Sequence, residues 1–207
     1  MFALVDKSDN SITKFLNGNK GIQIGDLKYP RAIYTLWTEA ERNAIIIYEV
    51  MIDNSKKKDE KWYINTNITY SFDGTNATGS YGDSTARAHA DTTWTQKQID
   101  DGDAPDDADT DTVAVEGLKT VLIRQVKAQA AEILTKTDWY VVRKSEESTA
   151  IPSAITTHRR LVRSKAAAME TSITNASDTP ALETLYTYTT DSDGVHSRPL
   201  AEIPTLD

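Results

Sequence analysis

The side chains able to do chemistry are few in kind. The chain contains no cysteine, which excludes thiol nucleophiles, disulfides, thiolate zinc sites and iron–sulfur ligation. Its three histidines, His89, His158 and His196, stand in segments with neither a nucleophile-elbow nor a zincin spacing. His158, set in Thr157-His158-Arg159-Arg160, reads as a helix-surface residue rather than a ligand or base. Gly18, Gly21 and Gly25 lack the spacing of a dinucleotide or P-loop phosphate cradle and read as turns. Glycoside cleavage needs two carboxylates that can lie far apart in sequence, but nothing among the 31 acidic residues selects a pair. Glycan hydrolysis therefore stays only as an alternative from another functional class.

One acidic stretch invites a metal. Between Asp100 and Asp111, seven of twelve residues are Asp, with Gly102 and Pro105 and no large apolar side chain. Asp107, Asp109 and Asp111 alternate as calcium ligands do, but an EF-hand would then need Gly at 112 and Glu at 118, where this chain has Thr112 and Leu118. The stretch reads instead as a solvated loop or linker kept open by self-repulsion. No metal and no cofactor are expected. The whole chain carries a net charge of −8 with a pI near 4.9, which argues against binding nucleic acid by phosphate neutralisation. No apolar run approaches the length of a membrane span, and the opening Met1–Asn10 lacks the pattern of a secretory signal. A soluble, unexported protein is the expectation, and Asn67, Asn76 and Asn175 then read as chance glycosylation sequons.

The elements that must position any site divide at that stretch. Residues 1–92 read as an antiparallel β-rich domain. Phe2–Asp6 and Ile12–Leu16 flank a polar turn, Thr38 caps one or two helical turns, and Ile45–Ile52 is a buried β-branched strand. Trp62–Phe72 is the longest strand candidate, closed by Asp73-Gly74, with a weaker partner through Ala77–Tyr81. Residues 93–112 form the acidic linker or loop. Residues 113–177 form a helical hairpin. Its first helix carries a stripe of Leu118, Val121, Leu122, Val126, Ala130, Ile133 and Leu134. An extended or turn-like Thr137–Arg143 follows, and a second helix with the stripe Ile155, Val162, Ala166, Met169 and Ile173 begins near Ser153, since Pro152 forbids continuation from upstream. Residues 178–207 are a short helix and an extended tail turning at Asp193-Gly194. The class is α+β.

Charge follows these divisions: net −7 over residues 1–112, +4 over 113–173 and −5 over 174–207. A basic hairpin between acidic flanks favours attraction within the chain or between copies of it. Trp139 is the most individual residue, either a core anchor plugging the helix connection or a binding hot spot, with the core role favoured. Asp138 with Arg159 and Arg163, which lie one turn apart, is most simply an ion-paired closure of the hairpin.

Residues 118–165 also carry a resemblance. The run from Leu118 through Arg124 to Leu134, then Thr137-Asp138-Trp139, Ile151-Pro152 and His158 to Arg163, is similar to the C-terminal module of tail-fibre assembly and tail-associated proteins of tailed bacteriophages. Tyr34–Arg42 with Tyr48–Val50 resembles, less specifically, the β-rich front part of such proteins. The second helix departs from the family pattern, having Ile155 and His158 where aromatic residues are usual. The resemblance implies a non-enzymatic virion structural protein, tail or tail-fibre associated, made in the host cytoplasm and acting by contacts with other phage tail or fibre proteins. An assembly chaperone not retained in the virion is the close alternative. It further implies a homo-oligomer, with a trimer favoured, and a partner-contacting region at Asp138, Trp139, Ile155, Arg159 and Arg163.

Overall fold

A computed structural model describes residues 1–206. The chain forms two compact units, the first Met1–Thr85 and the second beginning at Ala86. Helices and strands are both abundant, strands dominating the first unit and helices the second, so the chain is α+β.

The first unit contains β1 (Phe2–Asp6), β2 (Ser11–Leu16), β3 (Ile22–Ile24), β4 (Leu27–Tyr29), α1 (Ile33–Leu36), α2 (Glu39–Ala44), β5 (Ile47–Asp53), β6 (Tyr63–Ile64), β7 (Thr69–Phe72) and β8 (Ala77–Ser80). Five of the strands make one sheet in the order β2-β1-β5-β8-β7. Alternation puts Ala3, Val5, Tyr48, Val50, Phe72 and Ala77 in one apolar cluster. The opposite parity, Phe2, Leu4 and Ile47, packs with Leu16, Ile33 and Tyr34 in a second. The turn into α2 is closed by a reciprocal cap, Thr38 N–H donating to Glu41 Oε2 (2.7 Å) and Glu41 N–H to Thr38 Oγ1 (3.3 Å).

Three expectations for this unit are corrected. The sheet is not wholly antiparallel, because β8 lies beside β5 and runs parallel to it. The β7–β8 hairpin forms at Asp73-Gly74 as expected, and β8 pairs with β5, which buries Ile47, Tyr48 and Val50 but, against the expectation of a largely buried strand, leaves Met51 and Ile52 exposed. Nor is Trp62–Phe72 one strand. Asn65 donates to the Lys58 carbonyl (2.8 Å) and accepts the Lys58 N–H (2.9 Å), and Thr66 Oγ1 accepts the Gly82 N–H (2.7 Å). These side chains occupy backbone groups that a sheet would otherwise use, which breaks the run into β6 and β7.

The strand β9 (Thr85–Ala86) lies at the division. Beyond it the second unit holds β10 (Thr92–Thr93), α3 (Gln96–Asp100), β11 (Val113–Val115), α4 (Leu118–Thr135), α5 (Asp138–Glu147), α6 (Ser153–Asn175), α7 (Thr179–Tyr186), β12 (Thr189–Thr190) and β13 (His196–Ser197). Pairing of β10 with β11 brackets the acidic stretch, making it a loop inside this unit. The start of α4 has no side-chain cap of its own. Its free N–H groups are met from upstream: Leu118 and Lys119 donate to the carbonyls of Ala88 and His89 (2.9 and 3.0 Å), and Gly117 N–H donates to Asp91 Oδ1 (2.6 Å). The tail turns at Asp191–Gly194 as expected, but it then packs inward. Leu200 and Ile203 are buried, and Leu200 N–H donates to the Leu185 carbonyl (3.0 Å).

Two outcomes follow. A Cβ added at Gly117 would stand 2.2 Å from the carbonyl carbon of Ala90, backbone against backbone, so Gly117→Ala lowers the stability of the second unit by about 1–3 kcal/mol; an unchanged urea midpoint would refute this packing. In the β7–β8 turn, the N–H groups of Asn76 and Thr75 hold the Asp73 carboxyl below its ordinary value. A depressed carboxylate contributes stability that is present above its unfolded pKa and lost as pH falls through its folded pKa. Acid titration of melting temperature should therefore fall more steeply for the parent chain than for Asp73→Asn.

Candidate functional site

The helical module is organised around two facing stripes. Leu122, Val126 and Ala130 of α4 and Ile155, Val162, Ala166, Met169 and Ile173 of α6 are all buried. The helices run antiparallel, as three cross-ties show. Lys119 Nζ donates to the Thr174 carbonyl (2.8 Å), Lys127 pairs with Glu170 (3.6 Å), and Arg159 reaches the Leu134 carbonyl (2.8 Å). Ile133 sits lower on the stripe than expected, only half-buried, beside a cavity of about 160 Å³ shared with Lys136, Thr137 and Leu206.

Arg159 decides the geometry at the α4–α5 corner. Its side chain is interior, and its guanidinium is spent on three acceptors. Nη1 donates to the Leu134 carbonyl (2.8 Å) and to Thr137 Oγ1 (2.7 Å), and Nη2 pairs with Asp138 Oδ1 (2.8 Å). Leu134 lies in the last turn of α4, where carbonyls lack helical partners and negative potential collects, so a cation there is doubly favourable. Asp138 opens α5, where an acid is favoured by the opposite end of a helix. The expected closure of the hairpin by Asp138 and Arg159 therefore forms, with Thr137 as a third member.

Past this corner the structure departs from the sequence reading. Thr137–Arg143 is not extended: from Asp138 the chain is helical through Glu147, ending on Ser148 in the left-handed region (φ +57°). Not one residue of α5 is buried. Trp139, expected as a core anchor, is 50% exposed, and Val141 and Val142 are exposed with it. The indole stacks on Tyr140 with ring centres 3.8 Å apart, and the Arg143 guanidinium lies over both rings, 4.7 Å from Trp139 and 5.3 Å from Tyr140. Rings and cation together form a preassembled surface cluster.

The five residues expected to contact a partner thus separate. Trp139 and Arg163 are exposed, and Asp138 is half-exposed beside its arginine. Ile155 and Arg159 are corrected to interior positions, each only 8% exposed. Arg159 and Arg163 consequently do not act as a side-by-side surface pair, since one is buried and committed. His158 is likewise interior, 7% exposed, and its Nε2 has no hydrogen-bond partner. Tyr140 and Arg143 were missed. Their signal was present as a Trp139/Arg143 spacing of four, which is meaningful only if the segment is helical. Asp91, 26 residues from the helix end it caps, left no local signal at all.

Electrostatically the module is asymmetric. Near the start of α4, Arg124 pairs with Glu116, whereas Lys136 just past the end of α4, Arg143 on α5, and Arg160 and Arg163 in the first half of α6 have no ion pair among the described residues. Such a surface is suited to holding carboxylates against aromatic rings. Among the described residues no group of three or more His, Asp or Glu stands close enough to bind a metal ion, and no helix is long and apolar enough to cross a membrane. Comparison of the chain with models of known protein families, with curated proteins and with solved structures gives no match.

Arg159→Ala removes the donor to Thr137 Oγ1 and the cation beside Asp138, while the Leu134 carbonyl keeps the N–H and hydroxyl of Thr137, so it should cost about 2–4 kcal/mol. Trp139→Ala, on an exposed helix, should cost under about 1 kcal/mol. Chemical denaturation of both variants checks the order; a larger loss at Trp139 would return it to the core.

Proposed function

We propose that this chain is a non-enzymatic structural protein of a tailed-bacteriophage virion, tail or tail-fibre associated, made in the host cytoplasm and acting through protein contacts made by α5. The observation that carries the contact role is that α5 buries none of its own residues while displaying a preassembled Trp139–Tyr140–Arg143 cluster. Tryptophan, tyrosine and arginine are the side chains that dominate binding energy at protein interfaces. Holding them stacked before binding lowers the ordering cost of association. The phage assignment is supported by the similarity of residues 118–165 to the C-terminal module of tail-associated proteins. Its partners in this proposal are other tail or fibre proteins and further copies of itself, with a trimer favoured by the same similarity.

Mass spectrometry of purified particles tests the assignment: a retained component is found at fixed stoichiometry, and its absence from mature particles would select the assembly-chaperone alternative. Trp139→Ala combined with Arg143→Ala should reduce association with particles or their precursors at least about tenfold while leaving the melting temperature within about 2 °C. Unreduced association of that double variant would overturn the role given to α5.

A further inference from the structure

We propose that the α5 end of the helical module docks the acidic loop, residues 100–111, of a second copy of this chain, so that copies associate head to tail. The proposal rests on reading α5 as a contact surface and names one occupant for it. Two sets of charges are left unspent. In the loop all seven aspartates are exposed, and the carboxylates of Asp103, Asp106, Asp107 and Asp111 have no partner among the described residues. On and beside α5 and along α6, Lys136, Arg143, Arg160 and Arg163 have no ion-pair partner either. Arg143 is the sharpest case: its guanidinium is held over two rings, its Nε is shut off from water, and no acceptor meets it.

The two sets do not satisfy one another within one chain. The stem of the loop is fastened to the start of α4 by the Asp91–Gly117 and Ala88–Leu118 bonds. The corner that launches α5 is at the other end of α4, 18 residues away, about 27 Å along the axis. At the loop end, Lys119, Arg124 and Lys127 are already engaged with Thr174, Glu116 and Glu170. The module's other cations without an ion pair, Lys136, Arg143, Lys144, Arg160, Arg163 and Lys165, therefore lie on α5, just past the end of α4 and in the first and middle turns of α6, none of them at the loop stem, and Glu146 and Glu147 lie in the last turn of α5, beyond Arg143. Complementary, mutually unsatisfied patches at opposite ends of one rod give a heterologous contact, repeated from copy to copy. Exposed ion pairs are individually weak and screened by salt, and the exposed indole of Trp139 and side chain of Val142 add apolar area to the contact.

Sedimentation velocity of the full chain is the test. At low ionic strength and about 100 µM the parent should form species larger than a dimer, and raising salt to about 0.5 M should weaken association at least tenfold. An acid-loop variant (Asp103, Asp106, Asp107 and Asp111 all →Asn) and a cation variant (Arg143→Gln with Arg163→Gln) should each be monomeric, with unchanged urea midpoints because none of these residues is buried. Mixed in equal amounts, they should form heterodimers and nothing larger, since each retains only the end that the other lacks. A monomeric parent, an association insensitive to either set of substitutions, or a mixture that stays monomeric would each overturn the proposal. A monomeric parent whose association with particles still depends on Trp139 and Arg143 would remove self-docking alone and leave the α5 contact role standing.

Discussion

The second unit depends on one guanidinium. Between Thr135 and Asp138 the chain leaves one helix and begins another with neither glycine nor proline to shape the corner. The Leu134 carbonyl, in the last turn of α4, is met locally by the N–H and hydroxyl of Thr137 (3.0 Å each), which leaves the Thr137 oxygen and Asp138 to be paired from elsewhere. Arg159, brought from α6 by the packing of Ile155 and Val162 on either side of it, adds a further donor to that carbonyl and ties it to Thr137 and Asp138. In doing so it fixes Thr137 and the start of α5 against α6. A lysine would offer one point charge where three acceptors in different directions need a planar fork.

That arrangement explains why α5 is bare. The interior face of the module is already filled by α4 against α6, with Leu200 and Ile203 of the tail buried as well. The corner at Arg159 directs the new helix away from this core, so its aromatic residues pair with each other and with Arg143 instead. The other end of α4 is built in the reverse manner. There the helix brings no cap of its own, and an upstream segment, Ala88–Asp91, supplies carbonyls and a carboxylate to its first N–H groups. The module thus has long-range hydrogen bonds at both ends, and local helix signals describe neither closure in full.

In the first unit the same competition between side chain and backbone decides the sheet. Asn65 and Thr66 take up backbone groups of Lys58 and Gly82, so a run whose composition favours a long strand is divided. The turn at Asp73-Gly74 survives because its aspartate collects the N–H groups of Thr75 and Asn76 locally. Local satisfaction is readable from sequence, whereas satisfaction by a residue seven or sixteen positions away is not.

Periodicity alone was sufficient to find α4 and α6, their facing stripes from Leu122 to Val126 and from Val162 to Ile173, the cap at Thr38, the hairpin turns and the α+β class. Each depends on residues within a few positions of one another. The Asp138–Arg159 pair was also legible, because opposite charges flanking a short connection have few other places to go. The tertiary structure alone decided that Trp139 faces outward and that Arg159 and His158 face inward. It alone decided that β8 lies parallel to β5 and that Asp91 caps a helix 26 residues further on. The physical reason is common to all of these. A side chain's composition states what burial or pairing it needs, but which unsatisfied backbone group or apolar gap lies within its reach is set only when distant segments pack.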